Sequence, residues 1–555
     1  MKIQKLFSLI VLVAIGHFGY SQKIKKADQP ILANLQAHIK YLADDKLEGR
    51  RTGTAGEAIA MNYIAEQFKQ IGLQPKGVEG YFQSFDINEG KQVNQQTHFS
   101  INHEELKVDS DFFPLSYSPN MSLEAFPAIA LQEPDLPWFI DLKETLTENK
   151  DNPHFILDDW IIGQATELKK RGASALIFYN SSDIDDNLKF DPKNKSELVK
   201  IPLIYVKKNA AKKYFSDASA SIEIKMKVDI GEKKRTGHNV AGYINNSAPT
   251  TVILGAHYDH LGYGEDGNSM LRTGEHLIHN GADDNASGTA ALIELARLIK
   301  NSDKKDLKNN NYLFIAFSGE ELGLFGSKYF VENPTVDLSH VNYMINMDMV
   351  GRLNDSTQVL TVGGFGTSPE WATAIKMKDK KSPFVIKIDS SGTGPSDHTS
   401  FYRKEIPVLF FFTGLHGDYH KPTDDFDKIN YIGELNVVKY IYALVEKEDE
   451  NKKKLVFTKT KESQTSTSAR LNGVTMGIMP DYTFSGTGVR VDGVSDGKPA
   501  QAAGLQAGDI ILQLGDYKTP SLENYMQALS KFKKGDSTTV KIKRGNETVE
   551  KQVQF

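Results

Sequence analysis

The chain has 555 residues, of which 39% are hydrophobic and 25% are charged, and its 66 basic residues stand against 71 acidic ones. This length predicts roughly three or four domains, with enough apolar material for packed cores. The formal net charge of −5 gives no basic excess, so neither nucleic acid nor an anionic membrane surface is favoured as a partner.

The first 21 residues have the features of a secretory signal peptide. Lys2 and Lys5 give a charged start, and residues 6–15 form an apolar run that is too short to span a bilayer comfortably. The small residues Gly19 and Ser21 predict cleavage after Ser21. An uncleaved membrane anchor is the alternative that this pattern leaves open.

The sequence contains no cysteine. An exported protein without cysteine forms no disulfides and carries no lipid on an N-terminal cysteine. No other stretch of the sequence is long and apolar enough to cross a membrane. We therefore expect a periplasmic or secreted mature protein without a membrane segment, in which any metal site uses His, Asp and Glu.

After the signal, apolar residues at helical spacing predict helices over 33–42 and 57–71, separated by the loop LEGRRTGTAG. From about residue 109 the pattern changes to short β-rich runs, HFILDDW, ASALIFYN and IPLIYV, around a helical pattern that ends near Gly172. These runs predict a small α/β module inserted into a larger domain.

From residue 231 to 446, predicted strands and helices alternate. The strands are TTVILGAH, NYLFIAFSGEE, NYMINMDMVGR and IPVLFFFTG, and residues 288–300 form a predicted helix. This alternation predicts a mainly parallel, doubly wound sheet with helices on both faces. Residues 447–469 are charged and rich in Ser and Thr, which predicts an exposed linker, and residues 470–555 form a β-rich module. The predicted domain order is signal peptide 1–21, larger domain 22–108, insert 109–230, larger domain 231–446, linker 447–469 and C-terminal module 470–555.

Acidic and histidine residues follow the ends of these predicted strands: His257, Asp284, Glu320, Glu321, Asp348 and His420. Because ligands bind beyond the carboxyl ends of such strands, we expect these side chains to converge at one rim. Two histidines with several carboxylates and no thiolate suit two zinc ions in a hydrolase. Each zinc ion needs about three protein ligands. Five of these residues can therefore serve two ions only if one carboxylate bridges them, which is a role for one acid of the stretch GADDNASG.

The residues beside these candidates suggest supporting roles. Of the adjacent pair Glu320 and Glu321, one carboxylate can bind metal while the other acts as general base for the attacking water. Asp259 is placed to accept the ring proton of His257, and Asp424 or Asp425 is placed to do the same for His420.

The segments LEGRRTGTAG, GAHYDHLG, IHNGADDNASG, FSGEELGLFGS, NMDMVGR, SDHTSF and YHKPTDD resemble, in order, the co-catalytic di-zinc aminopeptidases of metallopeptidase family 28. The resemblance implies a zinc exopeptidase fold and five zinc ligands, namely His257, Asp284, Glu321, Asp348 and His420. It implies that Asp284 is the bridge and Glu320 the general base. One zinc would take the bridge, Glu321 and His420, and the other would take the bridge, His257 and Asp348.

Other titratable residues near these motifs are not expected to be ligands. The resemblance implies that Asp397 and His398, in GPSDHTSF, lie beside the metals and support the site. His260, His276 and His279 lie in the long stretch between His257 and Asp284 and are expected to be loop or substrate-facing residues.

The flanking modules also resemble known domains. The insert is similar to a protease-associated (PA) domain through GQATELKKRGASALIFYN and IPLIYV, which implies a role in shaping access to the cleft. The C-terminal module resembles a PDZ domain through PAQAAGLQAGDIILQLGD, and residues 476–482 match its carboxylate-binding loop. Such a loop binds a peptide or protein partner, although a structural role remains open for both modules.

The expected function is that of a secreted, zinc-dependent exopeptidase, and specifically an aminopeptidase that acts on peptides with a free N-terminus. Three alternatives remain open at this point. They are a single-zinc acyltransferase resembling glutaminyl cyclases, a carboxypeptidase or dipeptidase of the same fold, and a non-catalytic peptide-binding protein.

Overall fold

The structure of the chain is a computed structural model. It describes residues 24–152, 155–271, 273–302, 307–375, 382–460, 474–481, 484, 486–494, 497–529 and 531–555. The predicted signal peptide at residues 1–21 lies outside the described residues. Within the described ranges, every helix is too short or too polar to cross a membrane.

The regular elements are numbered here in chain order. The α-helices are α1 (Gln29–Leu42), α2 (Ala55–Ile71), α3 (Lys143–Asn149), α4 (Leu157–Lys170), α5 (Lys208–Tyr214), α6 (Gly288–Lys300), α7 (Phe325–Glu332), α8 (Trp371–Ala374), α9 (His398–Tyr402), α10 (Tyr431–Glu450), α11 (Pro499–Ala502) and α12 (Leu522–Leu529). The β-strands are β1 (Gln74–Pro75), β2 (Phe82–Val93), β3 (His98–Ile101), β4 (Glu104–Leu106), β5 (Phe112–Pro114), β6 (Met121–Ala125), β7 (Pro137–Asp141), β8 (Ala175–Tyr179), β9 (Leu203–Val206), β10 (Ile224–Val228), β11 (Ile230–Ile244), β12 (Thr250–His257), β13 (Asn310–Phe317), β14 (Val341–Met347), β15 (Val359–Gly363), β16 (Val385–Ile388), β17 (Val408–Phe412), β18 (Ile478–Pro480), β19 (Val489–Val494), β20 (Ile510–Leu514), β21 (Tyr517–Lys518), β22 (Ser537–Arg544) and β23 (Glu547–Gln554).

The largest sheet has nine strands in the order β1-β11-β13-β12-β14-β17-β15-β16, with β2 also paired to β11. Its centre, β13-β12-β14-β17, is parallel, and β11 and β15 flank this centre in antiparallel orientation. All residues of β13 and β14 are buried, which is why apolar residues occupy successive positions in both strands rather than alternating with exposed polar ones. The predicted mainly parallel sheet is confirmed.

Helices cover both faces of this sheet. On one face, Val252 and Leu254 of β12 pack in a core that includes residues of α1, α2, α6 and α10. On the other face, Ile253 packs with residues of α7 and α9. Alternate residues of one strand therefore enter opposite cores, as a doubly wound sheet requires. The predicted helix over 288–300 coincides with α6.

The insert contains two further sheets, β5-β9-β8-β7 and β4-β3-β10-β6. The long antiparallel pair of β2 and β11 connects the insert to the main sheet. Because β3 and β4 pair within the insert, this module begins before the predicted boundary at residue 109. The prediction of β structure over HFILDDW was wrong, since α4 begins at Leu157 with Asp158 and Asp159 in its first turn, where acidic side chains favour a helix start. The similarity of the insert to a PA domain stays a prediction.

The predicted linker differs from the structure in its first part. Helix α10 continues to Glu450, Leu455 is buried, and the backbone N–H of Thr458 donates to the carbonyl of Thr367. These contacts fix residues that composition alone assigns to an exposed segment, because the apolar side chain of Leu455 finds a buried position beside the main sheet. Residues 461–469 lie outside the described residues.

The C-terminal module has the sheet β18-β19-β20-β22-β23, with β21 paired to β20. Helix α12 supplies Tyr525 and Leu529 to its core. Gly477, at φ +78, forms the turn before β18 in the predicted carboxylate-binding loop. Tyr482, the last residue of that predicted loop, lies outside the described residues.

Candidate active site

His257 lies at the carboxyl end of β12, at the rim formed by the parallel strands. Its Nε2 is 3.3 Å from Oδ1 of Asp348 and 3.5 Å from Oδ1 of Asp284. Asp348 directly follows β14, the strand beside β12. The two side chains therefore meet because their strands are neighbours in the sheet.

His420 approaches the same carboxylate from a loop that follows β17. Its Nε2 is 3.3 Å from Oδ2 of Asp284 and 3.2 Å from Oε2 of Glu321. Asp284 thus turns one oxygen towards His257 and the other towards His420. This is the geometry that the sequence predicts for a carboxylate shared between two metal positions.

The donor atoms are close enough to hold metal ions. Ligand atoms of His257, Asp284 and Asp348 lie within 4.8 Å of one another, as do those of His260, Asp284 and Glu321. Several carboxylates meet here in buried surroundings, where anions without a cation are costly. The nitrogen and oxygen donor set suits a divalent ion such as zinc, so the residues fit the implied group.

The charges of the cluster show how strongly it favours cations. Burial lowers the pKa of His420, but Glu321 and Asp284 outweigh burial and raise this pKa to about 11. The pKa of His257 is likewise raised well above its usual value, because Asp348 and Glu320 outweigh the effect of burial. The carboxylates around both imidazoles therefore favour positive charge at this position.

Glu320 lies at the edge of this cluster, with Oε2 4.0 Å from Nε2 of His257. Burial raises the pKa of Glu320 well above its usual range; His257 opposes this shift, and the nearby charges of Asp348 and Glu321 add to it. A carboxylate with a raised pKa is better suited to accept and return a proton near neutral pH.

Asp259 lies between His257 and Glu320, and its predicted carboxylate contact with the ring of His257 is longer than a hydrogen bond. Its Oδ1 lies 3.6 Å from Nδ1 of His257 and accepts the backbone N–H of Glu320 at 3.2 Å. Its Oδ2 accepts the hydroxyl of Thr52 at 3.0 Å. The backbone carbonyl of Asp259 is nearer to His257 Nδ1, at 3.2 Å, so the histidine is held mainly by that carbonyl.

The prediction that Asp424 or Asp425 accepts the ring proton of His420 was wrong. Its Nδ1 lies 2.9 Å from the backbone carbonyl of Asn268, and neither Asp424 nor Asp425 takes this position. Asp424 instead accepts the backbone N–H groups of Asp283 and Asp284, each at 3.0 Å. Asp425 accepts the N–H of Phe426, the next residue along the chain. Sequence proximity therefore misassigned the contact, because a residue 152 positions earlier folds back to supply it.

The structure also places the four other titratable residues that were not expected to be ligands: His276, His279, Asp397 and His398. His279 bonds to Ser269 Oγ at 2.7 Å, and His276 is exposed, so both are loop residues as expected. His398 stacks on Phe410 with ring centroids 4.6 Å apart, and Asp397 is completely buried. Within the described residues, neither belongs to a group that could hold a metal.

His260 differs from its expected position. It is buried rather than facing substrate, and its Nδ1 lies 2.8 Å from Oε1 of Glu321. The motif HYDH gave no signal for this contact, because Glu321 lies 61 positions away in sequence.

Arg50 is a second residue that the sequence did not single out. It is completely buried, and its guanidinium donates to the backbone carbonyls of Leu42, Tyr258, Asn280 and Gly281. Burial lowers its pKa to about 10, although nearby carboxylates oppose the shift. Arg50 thus ties the segment after β12 to the segment that leads into Asp284. Its only sequence signal was its place in the loop LEGRRTGTAG.

A cavity of about 310 Å³ opens beside Asp284, Glu320 and Asp348. Its floor is one face of three strands at the edge of the sheet. Register pairs Phe412 with Thr361, Phe410 with Gly363, and Thr361 with Lys387. Since paired residues point to the same face of a sheet, Gly363 and Thr361 leave a trough between the two phenylalanines and Lys387.

Flat aromatic rings form one wall of this cavity. The ring of His398 is within 8° of parallel to Phe410, and Phe410 is within 12° of parallel to Phe412. Leu415, which is 70% exposed, lines the rim of the cavity. The cavity can therefore accept an apolar side chain next to the cluster of carboxylates.

Residues 239–445 match the model for peptidase family M28, and residues 456–555 match a PDZ domain model. The chain is 27% identical over 310 residues to aminopeptidase YwaD from Bacillus subtilis, covering 52% of this chain and 61% of the relative. It is 33% identical over 163 residues to leupeptin-inactivating enzyme 1 from Streptomyces exfoliatus, covering 28% and 35%. The match thus spans less than two thirds of each of these curated relatives.

Among solved structures, the zinc aminopeptidase BSAP from Bacillus subtilis is 21% identical, with coverage of 78% of this chain and 97% of that one and a TM-score of 0.42. The chain is therefore similar to peptidase family M28 over residues 239–445 and to PDZ domains over residues 456–555.

Proposed function

We propose that this protein is a secreted, zinc-dependent aminopeptidase that releases N-terminal residues from peptides. The single observation that carries the proposal is the position of Asp284, whose two oxygens face His257 and His420 separately at 3.5 and 3.3 Å. The name of the curated relative YwaD, an aminopeptidase, supports the same activity.

In this proposal, His257, Asp284 and Asp348 hold one zinc ion, and Asp284, Glu321 and His420 hold the other. When bound, such a pair of ions would polarise the scissile carbonyl and lower the pKa of the attacking water. The protein fixes the ligands before binding, since the backbone N–H groups of Asp283 and Asp284 are held by Asp424.

Glu320 acts as the general base in this proposal. It accepts a proton from the attacking water and passes it to the amine of the leaving peptide. Asp259 orients it by accepting its backbone N–H, so the carboxylate of Glu320 is presented to the cleft rather than to the strand.

The cavity beside the cluster supports a substrate-binding role. The side chain of the N-terminal residue would lie along Phe410 and Phe412, where the trough at Gly363 gives it room. Its free α-amino group would lie among the acidic side chains, where a cation is favoured. The substrate class is therefore peptides with a free N-terminus and an apolar first residue.

The test combines metal analysis with a survey of aminoacyl substrates. We expect two zinc ions per chain and release of the first amino acid from short peptides, with no release after acetylation of the N-terminus. Glu320→Gln should retain zinc and lower the rate by a factor of about 10² to 10⁴. Glu105, an exposed acid in β4 that does not line the cavity, gives the matched control Glu105→Gln, which should keep full activity.

The same experiment separates the alternatives. One zinc per chain with cyclisation of N-terminal glutamine would favour the acyltransferase. Release of C-terminal residues, or cleavage of dipeptides only, would favour a carboxypeptidase or dipeptidase. Absence of any turnover with intact zinc content would favour a non-catalytic binding protein.

The flanking regions have separate tests. Secretion to the periplasm or medium predicts a mature N-terminus at residue 22, which N-terminal sequencing of the exported protein would detect. The C-terminal PDZ domain is proposed to bind a peptide or protein carboxylate at the loop that contains Gly477. The PA-like insert is proposed to shape access to the cleft.

A further inference from the structure

His260 contacts the cluster of candidate metal ligands, although it is not one of the five predicted ligands. Its side chain is fully buried, and its Nδ1 lies 2.8 Å from Oε1 of Glu321. The second oxygen of Glu321, Oε2, lies 3.2 Å from Nε2 of His420. Glu321 therefore divides its two oxygens between two histidines.

The surroundings of His260 hold its ring in one place. Its backbone N–H donates to the carbonyl of Arg50 at 3.3 Å. Gly281 packs directly against the ring, since a Cβ at Gly281 would lie 2.4 Å from Cδ2 of His260. Gly281 is itself fixed at φ +55, and its carbonyl accepts a hydrogen bond from Arg50 at 3.0 Å. A glycine is therefore required at this position so that the ring of His260 can reach Glu321.

The direction of the contact follows from hydrogen-bond chemistry. An ionised carboxylate only accepts hydrogen bonds, so Nδ1 of His260 must carry the hydrogen. His260 Nε2 is buried and has no hydrogen-bond partner among the described residues. In this arrangement His260 uses a single ring nitrogen, and that nitrogen is aimed at Glu321.

We propose that His260 is a positioning residue that binds Oε1 of Glu321 and leaves Oε2 as the single oxygen directed at the second metal position. This inference rests on the proposed function, because it assigns His260 a task at that site. Without the contact, the carboxylate would rotate about its terminal bond, and either oxygen or both could turn towards the metal. The hydrogen bond fixes this choice before the metal binds, which is how residues behind metal ligands usually raise affinity.

A role as a fourth protein donor to the second ion is the competing assignment. His260 Nδ1 is 3.9 Å from Oδ2 of Asp284, farther than its distance to Glu321. The hydrogen bond to Glu321 already occupies Nδ1, and the two assignments make different demands on the side chain. Positioning requires only an N–H donor, whereas coordination requires a lone pair.

Two substitutions separate these demands. His260→Ala removes the side chain, and His260→Asn keeps an amide N–H near the place of Nδ1 but is a poor zinc ligand. Zinc affinity is measured in the full-length protein by competition with a chromophoric chelator, which resolves the two binding steps. We expect His260→Ala to weaken one step by about 10- to 100-fold and leave the other unchanged, and we expect His260→Asn to restore most of the loss.

His38→Ala is the matched control. His38 is also buried and also faces a glutamate, with Nε2 3.6 Å from Oε1 of Glu294, but both residues belong to helices behind the sheet. This variant should leave both zinc steps at wild-type affinity. If His260→Ala does not fold, His260→Gln replaces it, because the glutamine amide reaches the Nε2 position instead of Nδ1.

Two results would overturn the inference. Equal losses in His260→Ala and His260→Asn would assign coordination rather than positioning, and unchanged zinc affinity in both would remove any role at the metal. Failure of the proposed function is recognised separately, since the wild-type protein would then bind fewer than two zinc ions or release no amino acid.

Discussion

The candidate active site has two halves that share Asp284 and are built in different ways. The His257 half contains His257 and Asp348, and the His420 half, or loop half, contains Glu321 and His420. His257 is the last residue of the central strand β12, and its side chain is 1% exposed. His420 lies in a loop, has a positive φ of +53, and its side chain is 13% exposed. The backbone carbonyl behind His257 comes from Asp259, two residues away, whereas that behind His420 comes from Asn268 in a distant loop.

This difference has a physical consequence. The His257 half forms whenever the parallel strands pair, because its residues follow adjacent strands. The His420 half forms only when the loop after β17 docks on the loop between residues 262 and 280, where Met270 donates its N–H to the carbonyl of His420. We therefore expect the loop half to bind its metal less tightly and to be the first half to open.

The residue shared by both halves should give the largest effect. Asp284→Ala removes an oxygen from each metal position, so both halves should fail together. We expect activity to fall to that of protein treated with a chelator, and bound zinc, measured by elemental analysis, to fall below one ion per chain. Retention of two ions in this variant would contradict the shared role.

The two histidines should then separate the halves. His257→Ala and His420→Ala should each leave one zinc per chain, and the ion lost should be the tighter one in His257→Ala and the weaker one in His420→Ala. Stepwise removal with a chelator measures this order. The exposed His340, which contacts Asp337, provides the control His340→Ala with both steps intact. Loss of the same step in both site variants would refute the comparison.

Two residues that line the cavity, Gly363 in the sheet and Leu415 in a loop, allow the contributions of sheet and loop to substrate binding to be compared. Gly363→Leu fills the trough in the sheet floor and should lower kcat/KM for phenylalanyl substrates by about tenfold or more relative to alanyl substrates, because overpacking is costly. Leu415→Ala changes only the exposed rim and should alter this ratio by less than about threefold. A larger effect from the rim would place the side-chain pocket elsewhere.

The smallest effect is expected at the ion pair that holds the loop half. Asp266 lies two residues before Asn268 and bonds to Arg51 at 2.8 Å and to Arg235 at 3.0 Å. Asp266→Asn should weaken the loop-half zinc by about two- to fivefold, as expected for a partly exposed ion pair, and should lower the melting temperature slightly.

The pH dependence of this ion pair has a definite sign. Burial alone would raise the pKa of Asp266, but Arg51 and Arg235 outweigh it and lower the pKa. A lowered pKa in the folded state contributes stability above the unfolded value of about 3.9. The difference in melting temperature between wild type and Asp266→Asn should therefore be constant from pH 7 to 5, begin to shrink as the pH falls through about 4, and disappear only below the lower, folded-state pKa of Asp266. A difference that grows on acidification would contradict the assignment.

Strands and helices around the site were predictable because their local patterns agree with their final environment. The buried strand β12 and helix α6 occur where continuous apolar runs and helical spacing placed them. The PDZ domain was likewise recognisable from its own motif, and a family model matches it. The start of α4 was not predictable, because HFILDDW contains β-favouring residues, although its last four residues form the acidic first turn of a helix.

At the site, residues at strand ends could be predicted, whereas the residues that hold them could not. His257, Asp284, Glu320, Glu321, Asp348 and His420 each follow a strand or its loop, and the structure brings them together; their roles as ligands and base stay predictions. The contacts of Arg50, His260 and Asn268 had no local signal. Each of these three joins segments that are at least 61 positions apart in sequence.

The sequence by itself determined the strands and helices around the site and the rim at which its His, Asp and Glu side chains gather. Apolar periodicity and the topology of parallel strands are sufficient for those conclusions. Only the tertiary structure decided that Asn268 rather than Asp424 supports His420, and that His260 rather than solvent faces Glu321. The physical reason is that hydrogen bonds between loops depend on how the chain folds back on itself. The spacing of residues in the sequence does not predict which loops meet.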